Sequence, residues 1–174
     1  MTMQYDVKSA QLNETGQLVS ARCRLKQVTF AGTGGQSGML AIFDTVQTPV
    51  TAVYARSGNT ITVTKTAHGL TTGEVVGIAF ALASTVSATS GNYPITVTDA
   101  NTFTITDPNA GTVAGGTACY YVDGTGNGRW MTQFTTLTSA TNIQQIIIPG
   151  EGILANNGIY AQMTNIGFCT IFYG

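Results

Sequence analysis

Apolar and polar residues alternate in short runs along most of this chain, and the i, i+3, i+4, i+7 spacing of an amphipathic helix is nearly absent. Gly, Asn, Asp and Pro interrupt the runs, which is the pattern of an all-β protein. In LVSARCRL (18–25), Val19, Ala21, Cys23 and Leu25 share one face of a predicted strand, and Ser20, Arg22, Arg24 and then Lys26 share the other. The apolar parity switches to Val28 and Phe30, which predicts a bulge or strand end at Lys26–Gln27. GMLAIFD (38–44) is almost continuously apolar and suits a strand in a sandwich core.

The middle of the chain has a different texture. NTITVTK, EVVGIAF, YPITVTD and NTFTITD each predict a strand, and ALASTVSATSGN (81–92) predicts a polar loop. Beyond it, ACYYVDGTGNGRWMTQF predicts two strands joined by a hairpin turn at 123–128. The final segment predicts three strands joined by PGEG and by the Asn-Ile-Gly turn, with a bend at NNG (156–158). The expected fold is all-β: a jelly-roll-like β-sandwich built from residues 1–46 and 118–174. A second, small barrel-like β-domain is expected at 47–117, inserted in a loop of the first, since domain insertion succeeds at exposed loop tips.

Composition narrows the function. Charged residues are 9% of the chain, against about a quarter in an ordinary soluble domain, while 43% are hydrophobic. Thirty threonines and 21 glycines take the place of the missing charge. Threonine is β-branched and suits a pleated surface. A net charge of −1 gives little self-repulsion and tolerates close packing of many copies. Seven Lys and Arg make no nucleic-acid patch by count, so nucleic acid is not an expected partner. No apolar run reaches the ~20 residues of a membrane-spanning helix, and MTMQYDVKSA lacks the order of a signal peptide, so neither membrane nor export is expected. Cys23, Cys119 and Cys169 each sit in an apolar run and read as buried, reduced thiols.

His68 is the single histidine, within ITVTKTAHGLTTGEVVGIAF (61–80). A general base needs an orienting partner and a nucleophile or water within about 3 Å, and only Lys65 and Glu74 are ionisable neighbours in sequence. A metal site needs further ligands that the surrounding sequence does not supply. The simpler reading is a structural turn of His68, Gly69 and Gly73, with the glycines free to take positive φ. No catalytic residue, metal ligand or cofactor site is expected, and the chain is not expected to be an enzyme. The carboxylates are scattered over separate predicted turns, which disfavours a paired-acid hydrolase.

TVTKTAHGLTTGEVVGI followed by SGNYPITVTDANTFTIT resembles a small β-module inserted in bacteriophage virion proteins. The residues that carry the resemblance are Thr64, Ala67, His68, Gly69 and Leu70, then Gly73, Glu74 and Val76, then Gly91, Tyr93 and Val97, then Asn101 to Ile105. The module is similar in fold to the first catalytic-cysteine half-domain of ubiquitin-activating enzymes, and that resemblance implies a fold rather than an activity. Pro94 departs from its pattern and places that strand start at an edge or bulge. The flanks resemble small all-β proteins of tailed phages. Tyr5, Val7, Lys8, Ser9, Arg24, Leu25, Lys26, Pro149 to Ile153, Tyr160, Ala161 and Phe172 to Gly174 carry that match.

The resemblance implies a virion location, after assembly in the bacterial cytoplasm, and a capsid decoration, cement or head-protrusion role. It implies the phage major capsid protein as partner, and self-association; a homotrimer is expected by analogy with decoration proteins. Arg22, Arg24 and Lys26 then either dock on an acidic capsid surface or form a solvated strand face that discourages edge aggregation. Trp130, with Tyr120 and Tyr121, packs a core or subunit interface, or stacks on sugar rings. Ile147 lies opposite Ile146 and Ile148 and suits a strand covered by a neighbouring copy. The alternative function is a tail- or fibre-associated adhesin, with a host surface glycan held by Tyr54, Tyr93 or the 81–92 loop.

Overall fold

The computed structural model describes residues 7–82, 88–124, 128–136 and 141–174. These residues form an all-β protein of three antiparallel sheets. The strands are β1 (Lys8–Leu12), β2 (Gly16–Val19), β3 (Cys23–Gly32), β4 (Met39–Asp44), β5 (Val50–Thr64), β6 (Val75–Phe80) and β7 (Gly91–Pro94). They continue with β8 (Thr96–Asp99), β9 (Thr102–Asp123), β10 (Arg129–Thr135), β11 (Gln144–Ile147), β12 (Ile153–Ala155), β13 (Ile159–Thr164) and β14 (Ile166–Tyr173).

Sheet A has the order β1-β14-β3-β11, with β12 continuing the β11 edge along β3. Sheet B has the order β10-β4-β13-β2. The two form a sandwich: Leu25, Val28, Phe30, Cys169 and Ile171 of sheet A meet Leu40, Ile42, Ile159 and Ala161 of sheet B. Sheet C has the order β5-β9-β6-β7, and β8 pairs with the start of β9. Because β9 pairs with β8 at one end and β6 at the other, and Ile95 between β7 and β8 bonds back to Gly73 and Glu74, sheet C curls round its own core. Tyr54, Ile61, Val63, Ile78, Phe80, Phe103, Ile105 and Tyr121 fill that core.

Sheets B and C also pack against each other. Alternation along β4 sends Leu40 and Ile42 into the sandwich and Met39, Ala41 and Phe43 into the second seam. On the facing side, Ala79 of β6 and Val122 of β9 fill the seam, while Ile78, Phe80 and Tyr121 point into the core of sheet C. Gly77 permits the closest approach: a Cβ there would strike the backbone of Arg129 and Trp130. Every residue of β4 is buried, because both faces of sheet B are covered.

The parity switch in β3 is a register shift: Phe172 pairs with Gln27 and Tyr173 with Leu25, leaving Lys26 as the extra residue. The buried cysteines are free thiols, and burial pushes Cys119 and Cys169 up to about 12. Other sequence expectations change. LVSARCRL is not one strand: β2 ends at Val19 and β3 begins at Cys23, since the chain crosses there from sheet B to sheet A. Residues 118–123, assigned by texture to the sandwich, are the end of β9 in sheet C. The strands on either side of the expected hairpin do not pair, since β9 lies in sheet C and β10 in sheet B, and 125–127 of the expected turn lie outside the described residues. Of the predicted loop at 81–92, residues 83–87 lie outside the described residues, and its end is β7.

Candidate functional site

His68 sits between β5 and β6, in a segment where Ala67, Gly69 and Gly73 all have positive φ. The Leu70 N–H donates to His68 Nδ1 at 3.0 Å, so Nδ1 carries no proton. Nε2 is then the protonated nitrogen and donates to the Asp99 carbonyl at 3.0 Å. The ring edge rests on Phe103 at 5.5 Å between centroids. Nδ1 therefore braces the turn itself, and Nε2 ties it to Asp99 at the end of β8. Glu74 closes the same segment by accepting from the Thr71 N–H at 3.0 Å and from its hydroxyl at 2.8 Å.

Two buried carboxylates also hold loops. Asp44 is fully buried and accepts from the N–H groups of Asn156 (2.9 Å), Asn157 (2.8 Å) and Gly158 (3.3 Å), fixing the bend between β12 and β13. Arg129 Nε reaches the same carboxylate at 3.1 Å, and its other arm donates to the Leu154 carbonyl. In sheet C, Arg56 and Asp107 form a fully buried ion pair at 3.5 Å. Arg56 donates to the carbonyls of Gly58 and Asn109, and Asp107 accepts from the N–H groups of Thr89 and Asn109. The sequence reading singled out none of Asp44, Arg56, Asp107, Arg129 or Gly77. A lone charge inside an apolar run, as in FDTV or VYARS, is the signal that marks two of them, Asp44 and Arg56.

The candidate contact residues divide. Trp130 lies on β10 at the seam between sheets B and C, half-buried, with its backbone N–H and carbonyl bonded to the Asn92 side chain. Tyr120 and Tyr121 are respectively half-buried in that seam and buried in the core of sheet C. Tyr54 is 1% exposed, packs on Phe80 at 4.7 Å and donates to the Ala81 carbonyl, so it offers no face to a sugar. The Tyr93 hydroxyl donates to the Thr89 carbonyl at 2.7 Å.

Arg22, Arg24, Lys26 and Ile147, by contrast, lie on or beside sheet A. Arg22 is exposed in the β2–β3 connection and rims a cleft of about 390 Å³ together with Lys8, Tyr173 and Gly174. Arg24 pairs with Glu151 at 3.2 Å, and Lys26 is the bulged residue beside it. Arg22 and Arg24 do not share a strand face, because the strand breaks between the two sheets.

The register of sheet A defines its outward rows. Ser9, Phe172, Gln27 and Ile147 stand side by side across four strands, and Gln11, Thr170, Thr29 and Gln145 form the next outward row. Thr170 donates to Gln11 at 3.2 Å and Gln27 to Thr29 at 3.3 Å, which stiffens the surface. None of these eight side chains is charged. Ile147 is 70% exposed, and Ile143 and Ile146 on the same edge are also exposed. The face carries Phe172 within it and Ile147 at its β11 edge, with uncharged polar neighbours, and Lys26 and the Arg24–Glu151 pair lie at one end. No family model matches the chain, and no curated protein sequence matches it.

Proposed function

We propose that this chain is a bacteriophage virion structural protein, a capsid decoration, cement or head-protrusion protein that acts by binding the coat lattice. The observation that carries the reading is the outer face of sheet A: neutral rows that run through Phe172 and end at Ile147, with Arg24 and Lys26 at one end and Arg22 in the β2–β3 connection nearby. A basic end on a nearly uncharged face suits an acidic patch on a shell, with exposed ion pairs contributing about 1 kcal/mol or less each. Such weak contacts suffice when a lattice repeats them, since multivalency multiplies affinity. The sequence resemblance supplies the virion and the capsid protein as partner. In this reading sheet A faces the shell or a neighbouring copy, and sheet C, with exposed Thr60, Thr64, Thr96 and Thr106, projects outward.

Purified protein mixed with undecorated shells of the encoding phage and imaged by cryo-electron microscopy tests this. Regular added density at lattice positions is the expected result, and Arg22→Glu with Lys26→Glu should weaken it. Bare shells at saturating protein would sink the decoration role and move the chain to the tail.

A further inference from the structure

Edge strands exposed to water are ordinarily blunted by charge, because an open row of N–H and C=O groups recruits other chains. Strand β11 has the opposite character. Its sequence QQII is uncharged, and β3 is its partner in sheet A. Ile143 (68%) and Ile147 (70%) are the two most exposed large hydrophobic residues described, whereas Ile146, paired with the buried Val28, lies on the other side of the sheet. Ile147 is also the end of an outward row that runs through Gln27 and Phe172 to Ser9. Edge and face are thus one continuous neutral surface.

We propose that this surface is covered by a second copy of the same chain, sheet A against sheet A, centred on Ile147, Phe172 and Thr29. Charge permits this occupant. Two copies of the rows Ser9–Phe172–Gln27–Ile147 and Gln11–Thr170–Thr29–Gln145 oppose no like charges. A two-fold arrangement sends the basic residues Arg24 and Lys26 of the two copies to opposite ends of the contact. Size agrees. The strands of sheet A hold five (β1), eight (β14), ten (β3) and four (β11) residues, which at about 3.3 Å per residue and about 4.8 Å between strands give a footprint of about 430 Å². The accessible surface of such a corrugated face exceeds its footprint and is of the order of the ~800 Å² per partner of a stable interface. Packing of two sheet faces about 10 Å apart is the ordinary geometry of a β-sandwich. Arg22 and its cleft stay at the periphery, so the basic end remains available to a third surface.

This inference stands apart from the virion reading, because it needs no shell. Sedimentation equilibrium of the full chain from about 1 to 100 µM is expected to show a reversible dimer. Ile147→Lys and Thr29→Lys, made separately, each place a charge on an exposed or half-exposed site of the neutral rows. Each should raise the dissociation constant at least tenfold while leaving the thermal unfolding midpoint of the dilute protein unchanged. Thr62→Lys, on the outer face of sheet C, should leave the dimer intact. A monomer across the whole range, or an oligomer that survives both sheet A substitutions, overturns the proposal. Failure to bind shells with the dimer intact would overturn only the decoration role.

Discussion

Sheets A and B are the two halves of one sandwich, yet they differ in what lies behind them. Sheet B has the sandwich core on one side and sheet C on the other, and β4 reads as buried at all six positions. Sheet A has the core on one side and an open face on the other, and β3 alternates buried with half-buried residues until its last turn toward Gly32. The comparison teaches that apolar continuity along a strand counts covered faces, whereas alternation counts one.

The largest effect should come from a charge at matched outward positions. Ala41→Lys puts an unpaired ammonium in the closed seam, where Ala41 is 0% exposed, and should prevent folding. Thr29→Lys, outward on sheet A, should shift stability by about 0.5 kcal/mol or less. Far-ultraviolet circular dichroism during heating separates the two, and equal losses would mean that sheet A's face is also closed within the monomer.

Next come the buried charges that pin loops in sheets B and C. Asp44→Ala removes the acceptor of three backbone N–H groups and should cost about 3–5 kcal/mol in urea unfolding, while Arg129, 43% exposed, can turn to water. Asp107→Ala should cost a similar amount by leaving Arg56 buried without its carboxylate. Breaking the surface pair with Glu151→Ala should cost about 1 kcal/mol or less, since the partner Arg24 is solvated. Gly77→Val tests the seam itself. Its side chain meets the backbone of β10, and about 1–3 kcal/mol of overpacking is expected, whereas Gly150→Ala has open space and only its positive φ to resist it.

At neutral pH the buried titrating groups have no effect, and a dependence emerges only in alkali. Cys119, Cys169 and Tyr121 are raised to about 12 by burial, so the folded chain keeps protons that the unfolded chain releases from its ordinary thiols and phenols. Stability from these groups is complete below about pH 8.5 and falls as pH rises toward 12. The urea midpoint should decline over that window, and Cys169→Ala should flatten the decline. A midpoint indifferent to alkali would mean that the thiols are not enclosed.

Much of this was legible in the chain. The bulge at Lys26 follows from a parity switch that a strand cannot make without an extra residue. The turn at His68 follows from glycines where the backbone must reverse, although the residue of positive φ before it is Ala67. Arg22 was misplaced because Ser20–Arg22 keeps the alternation of a strand while the chain crosses between sheets. The hairpin expected at 123–128 failed similarly: DGTGNG has turn chemistry, but nothing local says whether the next strand returns to the same sheet or enters another.

The sequence by itself determined the all-β class, because periodicity, β-branched content and glycine punctuation act over a few residues and all agree. It determined that the three thiols sit in apolar strands and that charge is too sparse to coat the molecule. The tertiary structure alone decided that sheet B is enclosed by A and C, that Trp130 faces a seam, and that Phe172, Gln27 and Ile147 form one row. Those facts depend on which distant strands become neighbours, and that is set by the packing of whole faces, to which each residue contributes only a fraction of a kilocalorie.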